Sequence, residues 1–191
     1  MQKNRLAVVR RTGAFSLVAL GRRWVAVSVA LALAGAGVVV VTPVAEAAPP
    51  IPVDCSTMNL QTAMNEASPG ATLAISGICV GHFTIDGKAL TLVRNGNTAT
   101  LDGGQTGTVL TITDGADVTL DQLTITHGAT ADAGGGIYNG GTLTLNAGSS
   151  VIGNSAEFHG GGIYNFGILT GAVDGRDVRD NTPDNIFPPE G

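Results

Sequence analysis

Four aspartates and two arginines near the C-terminal end of this 191-residue chain are the residues best suited to chemistry on a polysaccharide. They are Asp174, Asp177, Asp180 and Asp184, together with Arg176 and Arg179. Lyases and hydrolases use carboxylates that bind calcium or act as acid and base, and a basic residue can take the proton. The alternative is a solvated chain end with no neighbouring coil to hold these groups. We favour the solvated end and predict no catalytic residue.

The remaining acidic residues and the three histidines match no known site pattern. Asp114, Asp117 and Asp121 flank a predicted turn, but their spacing differs from that of calcium-binding loops. His127 and His159 each precede a copy of the same glycine-rich motif, which would bring them to one edge of the fold. Turn aspartates and exposed loop histidines are the simpler interpretation. We therefore predict no metal site and no cofactor.

The only two cysteines, Cys55 and Cys79, flank a short amphipathic segment. An isolated pair in an exported protein favours a disulfide, whereas a redox or metal site would call for Cys-x-x-Cys spacing or a nearby histidine. Between them, apolar residues recur at i, i+3, i+4 and i+7 from Leu60 onward, which predicts a short helix. Ser56 or Thr57 is its predicted N-cap. Such a helix would cover the open end of a solenoid, and the disulfide would tie it to the first coil.

A repeated hexapeptide indicates the fold that holds all of these candidate residues in place. Gly-Gly-Gly-Ile-Tyr-Asn occurs at 134–139 and again at 160–165, a spacing of 26 residues. In Leu123-Thr124-Ile125-Thr126 and in Thr142-Leu143-Thr144-Leu145 the aliphatic residues alternate with Thr, so that one face is core and the other is solvated. Three such segments per period of 22 to 27 residues predict an all-β, right-handed parallel β-helix of about five coils.

Stacking of the coils predicts which side chains lie above one another. Tyr138 and Tyr164 should stack on the outside, about 4.8 Å apart, and with rows of Thr they would present a platform for a sugar. The alternative is that the tyrosines only cover the sheet or pack under a loop. The predicted inward pairs are Ile137 with Ile163, Leu143 with Leu169 and Val151 with Val178, and the predicted asparagine ladders are Asn139 with Asn165 and Asn154 with Asn181.

The N-terminal segment 1–47 has the features of a secretory signal peptide. A basic region precedes an uncharged apolar run at 24–41 and an Ala-Glu-Ala cleavage site. A retained membrane anchor is the alternative, because about 18 apolar residues approach the length that spans a bilayer. Two arginine pairs leave both the Sec and the twin-arginine export routes open. We predict a linker and cap helix at 48–70, the β-helix at 71–185 and a C-terminal tail at 186–191.

Charge narrows the range of partners. Residues 48–191 carry fourteen carboxylates and four basic side chains, a net charge of −10. Such an acidic chain repels nucleic acid and anionic lipid. We therefore predict no nucleic-acid partner and no membrane span in the mature form.

Several motifs together resemble one class of protein. They are Leu101-Asp102-Gly103-Gly104, Val109-Leu110-Thr111-Ile112, the paired hexapeptide and the ending at 180–185. These resemble secreted bacterial β-helix repeat proteins of the pectate-lyase-like superfold, and the repeats are similar to those of polymorphic outer membrane proteins. The resemblance covers nearly all of 55–185 and implies the fold more than the activity, since the superfold has many activities.

The function expected from these observations is surface binding. We expect a secreted or cell-surface monomer that acts as a non-enzymatic binding, adhesive or cell-envelope component, with a polysaccharide or cell-envelope glycan as partner. Tyr138 and Tyr164 are the candidate ligand-binding residues. The alternative is a small polysaccharide-active enzyme, either a lyase or a hydrolase.

Overall fold

The structure, a computed structural model, describes residues 47–188. The predicted signal peptide, apart from Ala47, lies outside the described residues. Within them, sixteen short strands and one helix follow one another. The strands are β1 (Ile51–Asp54), β2 (Ala71–Val80), β3 (Phe83–Ile85), β4 (Ala89–Asp102), β5 (Leu110–Ile112), β6 (Asp117–Asp121), β7 (Thr124–Thr126), β8 (Ala129–Thr130), β9 (Ile137–Asn139), β10 (Thr142–Leu145), β11 (Ser150–Ile152), β12 (Ser155–Ala156), β13 (Ile163–Asn165), β14 (Ile168–Thr170), β15 (Val178–Arg179) and β16 (Ile186–Phe187), and helix α1 (Leu60–Glu66) lies between β1 and β2.

The strands pair in parallel and stack as a β-solenoid of about five turns, which confirms the predicted parallel β-helix architecture. The long strand β4 pairs with β6 through its first residues and with β7 through its last three. Two parallel stacks therefore share this strand, one continuing through β10 and β14, the other through β11 and β15. A separate five-stranded sheet has the order β16-β13-β9-β5-β3.

Aliphatic side chains form the interior because they alternate with Thr in strands such as β7 and β10 and recur at equivalent positions in successive coils. Leu110, Ile137 and Ile163 are adjacent in register and fully buried. Registers also pair the other predicted inward residues, Leu143 with Leu169 and Val151 with Val178. Because each turn buries its side chains only against its neighbours, this stacking supplies the core that no single repeat has.

The stack extends past both predicted boundaries of the β-helix. Strand β1 lies in the segment 48–70, predicted to be linker and helix, and it pairs with β2. Strand β16 lies in the predicted tail 186–191 and pairs with β13, with Ile186 buried. Strand β1 contains a proline, Pro52, and β16 has only two residues, so neither shows the alternation of Leu or Ile with Thr, and the pairing partner decides that they are strands.

Helix α1 forms the predicted cap, but it begins at a different N-cap. The Asn59 side chain accepts a hydrogen bond from the Thr62 backbone N–H at 2.9 Å. Ser56, predicted as a possible N-cap, instead donates its backbone N–H to the Asp54 carboxylate, also at 2.9 Å. Thr57 donates its backbone N–H to the Asp54 carbonyl at 3.0 Å. Ser56 and Thr57 thus belong to the turn after β1, and the helix starts only after them.

Two links hold α1 to the first coils. The predicted Cys55–Cys79 disulfide is present, with the two Cα atoms 5.1 Å apart. Lys88 Nζ donates to backbone carbonyls at the end of α1, including those of Met64 at 2.6 Å and Asn65 at 3.0 Å. A cation at a helix C-terminus satisfies carbonyls that lack partners within the helix.

No helix among residues 47–188 is long and apolar enough to cross a membrane.

Both predicted asparagine ladders are present. Asn139 Nδ2 donates to Asn165 Oδ1 at 2.7 Å, and Asn154 Nδ2 donates to Asn181 Oδ1 at 3.1 Å. Asn139 and Asn154 are almost fully buried. Asparagine tolerates a left-handed backbone, but none of these four asparagines has a positive φ angle. Their side-chain amides instead satisfy buried backbone groups where the chain turns between faces.

The glycine triplets serve close packing between coils as well as turns. A Cβ atom on Gly136 would lie 2.6 Å from the Gly162 carbonyl oxygen of the next coil. Gly134 has φ of +78°, a left-handed conformation that side chains disfavour. The triplet recurs because the backbones of neighbouring coils lie too close together there to leave room for a side chain.

Candidate binding site on the aromatic face

One outward column of the five-stranded sheet changes from threonine to aromatic residues along the solenoid. The register places Thr84, Thr111, Tyr138, Tyr164 and Phe187 at equivalent positions of successive strands. Tyr138 and Tyr164 lie side by side as predicted, with ring centroids 5.6 Å apart. The Phe187 ring lies 5.6 Å beyond Tyr164 and parallel to it. Both tyrosines are half-buried, so each ring keeps part of its surface accessible to solvent.

Two exposed phenylalanines widen this column. Phe166 packs against both tyrosines, with its centroid 4.9 Å from that of Tyr164, and is 70% exposed. Phe158 is 63% exposed and shares a groove with the tyrosines. We call these five residues the aromatic face: Tyr138, Phe158, Tyr164, Phe166 and Phe187. Among residues 47–188 only one other Phe, Tyr or Trp occurs, Phe83, and it belongs to the core.

A groove runs along one side of the tyrosines. It has a volume of about 550 Å³, and the side chains that line it are mostly hydroxyls and aromatic rings. They include Thr108, Thr111, Thr130, Asp132, Tyr138, Phe158 and Tyr164. Strand β8 supplies Thr130, and the loop that follows β12 supplies Phe158. The groove therefore combines hydrogen-bonding groups with apolar surface, as ligand sites commonly do.

A smaller depression lies next to Phe166. It has a volume of about 390 Å³ and is lined by Asp114, Asp117, Phe166 and Ile168, among others. Ile168 is itself 63% exposed. Another groove, of about 430 Å³, lies beside α1 around Met58 and contains no aromatic side chain.

The C-terminal aspartates do not converge on a common point. Asp177 pairs with Arg176 at 2.6 Å, and hydrogen bonds from that guanidinium lower the pKa of the carboxyl group. The other carboxylates have different neighbours: Asp180 pairs with Arg179 at 2.7 Å, Asp174 accepts from Asn185 at 2.8 Å, and Asp184 accepts from the Gly160 backbone N–H. Within the part of the chain that the structure describes, no group of three or more His, Cys, Asp or Glu could hold a metal ion.

The two histidines that were expected to share an edge each have their own carboxylate. His127 Nδ1 donates to Asp102 at 2.9 Å, and His159 Nδ1 lies 3.4 Å from Asp184. Burial by itself would raise the pKa of Asp102, but hydrogen bonds from His127 and a backbone N–H outweigh it and lower the pKa. The His159 ring also stacks on Phe187 at 4.0 Å, which extends the aromatic face at its C-terminal end.

None of the four Lys and Arg residues of 48–191 lines the groove or the depression. Lys88 contacts the end of α1, and Arg94 donates to Gln122 at 2.5 Å. Arg176 and Arg179 pair with the aspartates that follow them in sequence. The side chains that line the groove and the depression thus include carboxylates and no basic group.

Three members of the aromatic face were missed by sequence reasoning. Phe187 follows Ile186 just as Tyr164 follows Ile163, so a repeated Ile-aromatic pair was the available signal. It was overlooked because the glycine triplet is absent there and the spacing is shorter than 26 residues. Phe158 and Phe166 lie outside the strands, where no periodicity marks them.

No protein family, curated protein or solved structure matches this chain. A function is therefore inferred from the exposed side chains of the aromatic face and of the groove beside it.

Proposed function

We propose that this chain is an exported, non-enzymatic β-helix protein that binds a polysaccharide through its aromatic face. The observation that carries the proposal is the placement of five of the six described Phe and Tyr side chains on one side of the solenoid, beside a groove. Exposed aromatic surface of this kind marks interaction sites. Aromatic rings pack well against the C–H faces of sugar rings, and the threonine hydroxyls beside them can exchange hydrogen bonds with sugar hydroxyls.

The shape of the site suits an extended chain. Thr111, Tyr138 and Tyr164 lie on three successive rungs, which span roughly 10 Å along the solenoid axis. A polymer lying along the axis would contact one side chain of the column per rung. The parallel stack holds these contacts rigid, so little conformational entropy is lost on binding.

The single carboxylate that lines the groove supports binding rather than hydrolysis. Of its described lining residues, only Asp132 has a carboxylate. Glycoside hydrolysis uses a pair of carboxyl groups about 5 to 10 Å apart, one on each side of the scissile bond. A single exposed aspartate provides neither that pair nor a cage for calcium.

Export is part of the proposal. The Cys55–Cys79 disulfide would persist in an oxidising compartment, and the N-terminal segment 1–47 has the pattern of a signal peptide. We also assign the solenoid to the pectate-lyase-like class of bacterial β-helices on the strength of its repeat pattern, and expect a monomer at the cell surface or in the medium.

The test is a panel of neutral and charged polysaccharides incubated with the protein, with and without calcium, followed by pull-down and by chromatography for shortened products. We expect retention without cleavage. F166A should weaken binding about fivefold, the equivalent of losing about 1 kcal/mol of aromatic contact. V80A is the matched control, because Val80 is also 70% exposed but lies on β2.

Shortened products would refute the non-enzymatic part of the proposal. Equal binding by F166A and V80A would refute the assignment of the aromatic face as the binding site.

A further inference from the structure

We infer that the polysaccharide bound by the aromatic face carries free amino groups, as a polymer of glucosamine units does. This inference rests on the proposed function and adds the charge of the ligand. It follows from the kind of ionisable groups beside the aromatic rings.

Carboxylates flank the aromatic face on two sides. Asp132 lines the groove, whereas Asp114 and Asp117 line the depression next to Phe166. All three are exposed, and none of them forms an ion pair within residues 47–188. A cationic ligand would therefore meet negative charge that the protein has not already neutralised.

The basic side chains cannot reduce this negative field by much. They lie at the cap helix, on β4 and in the last coil, where each is engaged with a carbonyl, an amide or a carboxylate. Residues 48–191 carry a net charge of −10. Since salt screens exposed charges over about 8 Å at physiological ionic strength, the carboxylates that line the groove and the depression are the charges that a ligand bound there meets first.

The aromatic rings favour the same ligand. An ammonium group above the face of Tyr or Phe gains a cation–π interaction in addition to the stacking that any sugar would have. A uronic acid polymer would be repelled by Asp114, Asp117 and Asp132. A neutral polymer would stack, but it would leave the three carboxylates without a partner.

A lysine-rich peptide is the competing cation, and the site suits it less well. One common mode of binding an extended peptide pairs its backbone with an open strand edge. The two tyrosines of the aromatic face instead lie on β9 and β13, and each of these strands has neighbours on both sides. Their rings therefore lie where no strand edge is open, and with the threonine hydroxyls beside them they match a sugar polymer.

The experiment is calorimetric titration of the full chain with glucosamine oligomers, with N-acetylated oligomers of equal length and with oligolysine, at a pH where the amines are protonated. We expect the glucosamine oligomer to bind about tenfold more tightly than the N-acetylated one at low salt, with most of that difference lost at 1 M salt. D132N should lower this preference severalfold. D121N, which removes the same charge outside the groove and the depression, should leave it unchanged.

The possible outcomes separate this inference from the proposed function. Equal affinity for the two glycans would overturn the inference and leave glycan binding intact. Failure to bind either oligomer would overturn the inference, and the polysaccharide panel would then decide the proposed function by itself. Tighter binding of oligolysine would overturn the inference in favour of a cationic peptide. If D121N loses as much of the preference for glucosamine oligomers as D132N does, the preference depends on net charge alone. That result would overturn the assignment of the ammonium-binding site to the groove.

Discussion

Asn154 is the buried side chain whose removal gives the sharpest test of how this solenoid is held together. It lies in the turn between β11 and β12 and is 2% exposed. Its Oδ1 accepts from the Gly128 backbone N–H at 2.8 Å. Its Nδ2 donates to the Ile125 carbonyl at 3.2 Å and to Asn181 at 3.1 Å. One amide thus connects three successive coils.

The cost of N154A follows from these contacts. The buried Gly128 N–H would lose its acceptor, which costs about 1 to 3 kcal/mol, and the lost bonds to Ile125 and Asn181 add about 1 kcal/mol. We expect the free energy of unfolding to fall by about 2 to 4 kcal/mol. For a domain of this size that lowers the melting temperature by about 10 °C.

Urea unfolding followed by circular dichroism measures this change. N146A is the matched control, because Asn146 is an exposed asparagine at the end of β10. Exposed substitutions of that kind change stability by less than about 0.5 kcal/mol. If N154A unfolds at the same urea concentration as N146A, the amide ladder does not stabilise the stack and our reasoning is wrong.

Two further predictions concern the cap and the response to acid. Replacing both Cys55 and Cys79 by Ser should lower the free energy of unfolding by about 3 kcal/mol, because the bridge closes a loop of 24 residues. Wild-type protein with its disulfide reduced should unfold at the same urea concentration as this double variant. A double variant as stable as the oxidised wild-type protein would contradict this prediction. Folding lowers the pKa of the Asp102 carboxyl group from its value near 3.8 in the unfolded chain. The Asp102 carboxylate therefore stabilises the folded protein at pH values above 3.8, and this stabilisation is lost as the pH falls through the pKa that Asp102 has in the folded protein. Acid unfolding of wild type should therefore be steeper below about pH 4 than that of D102N, and should match that of D121N; identical acid transitions in wild type and D102N would refute this role for the Asp102–His127 bond.

Much of the fold could be read from the chain because its information is local and repeated. The spacing of the two hexapeptides predicted which residues stack, and Ile137 lies next to Ile163 as expected. Alternation of Leu or Ile with Thr marked the inward face of β10. These signals work because a parallel solenoid places equivalent residues in neighbouring coils, so that a sequence period becomes a direct contact.

The aromatic face could be predicted only in part for the opposite reason. Tyr138 and Tyr164 belong to the repeat, but Phe166 reaches them from a turn and Phe158 from a loop across the groove. Phe187 joins them only because β16 adds to the sheet beyond β13. Neither Phe158 nor Phe166 has a periodic position, so nothing along the chain indicates that they share a surface with the tyrosines.

The sequence by itself thus determined the repeat, the inward columns, the asparagine ladders and the disulfide, since each follows from residue type and spacing. Only the tertiary structure decided where the stack begins and ends, that Asn59 caps α1, and that five aromatic residues share one surface. The physical reason is that strand ends, caps and surface clusters depend on which partner is available in space. A pairing partner 20 or more residues away can turn a two-residue segment into a strand that its own sequence does not specify.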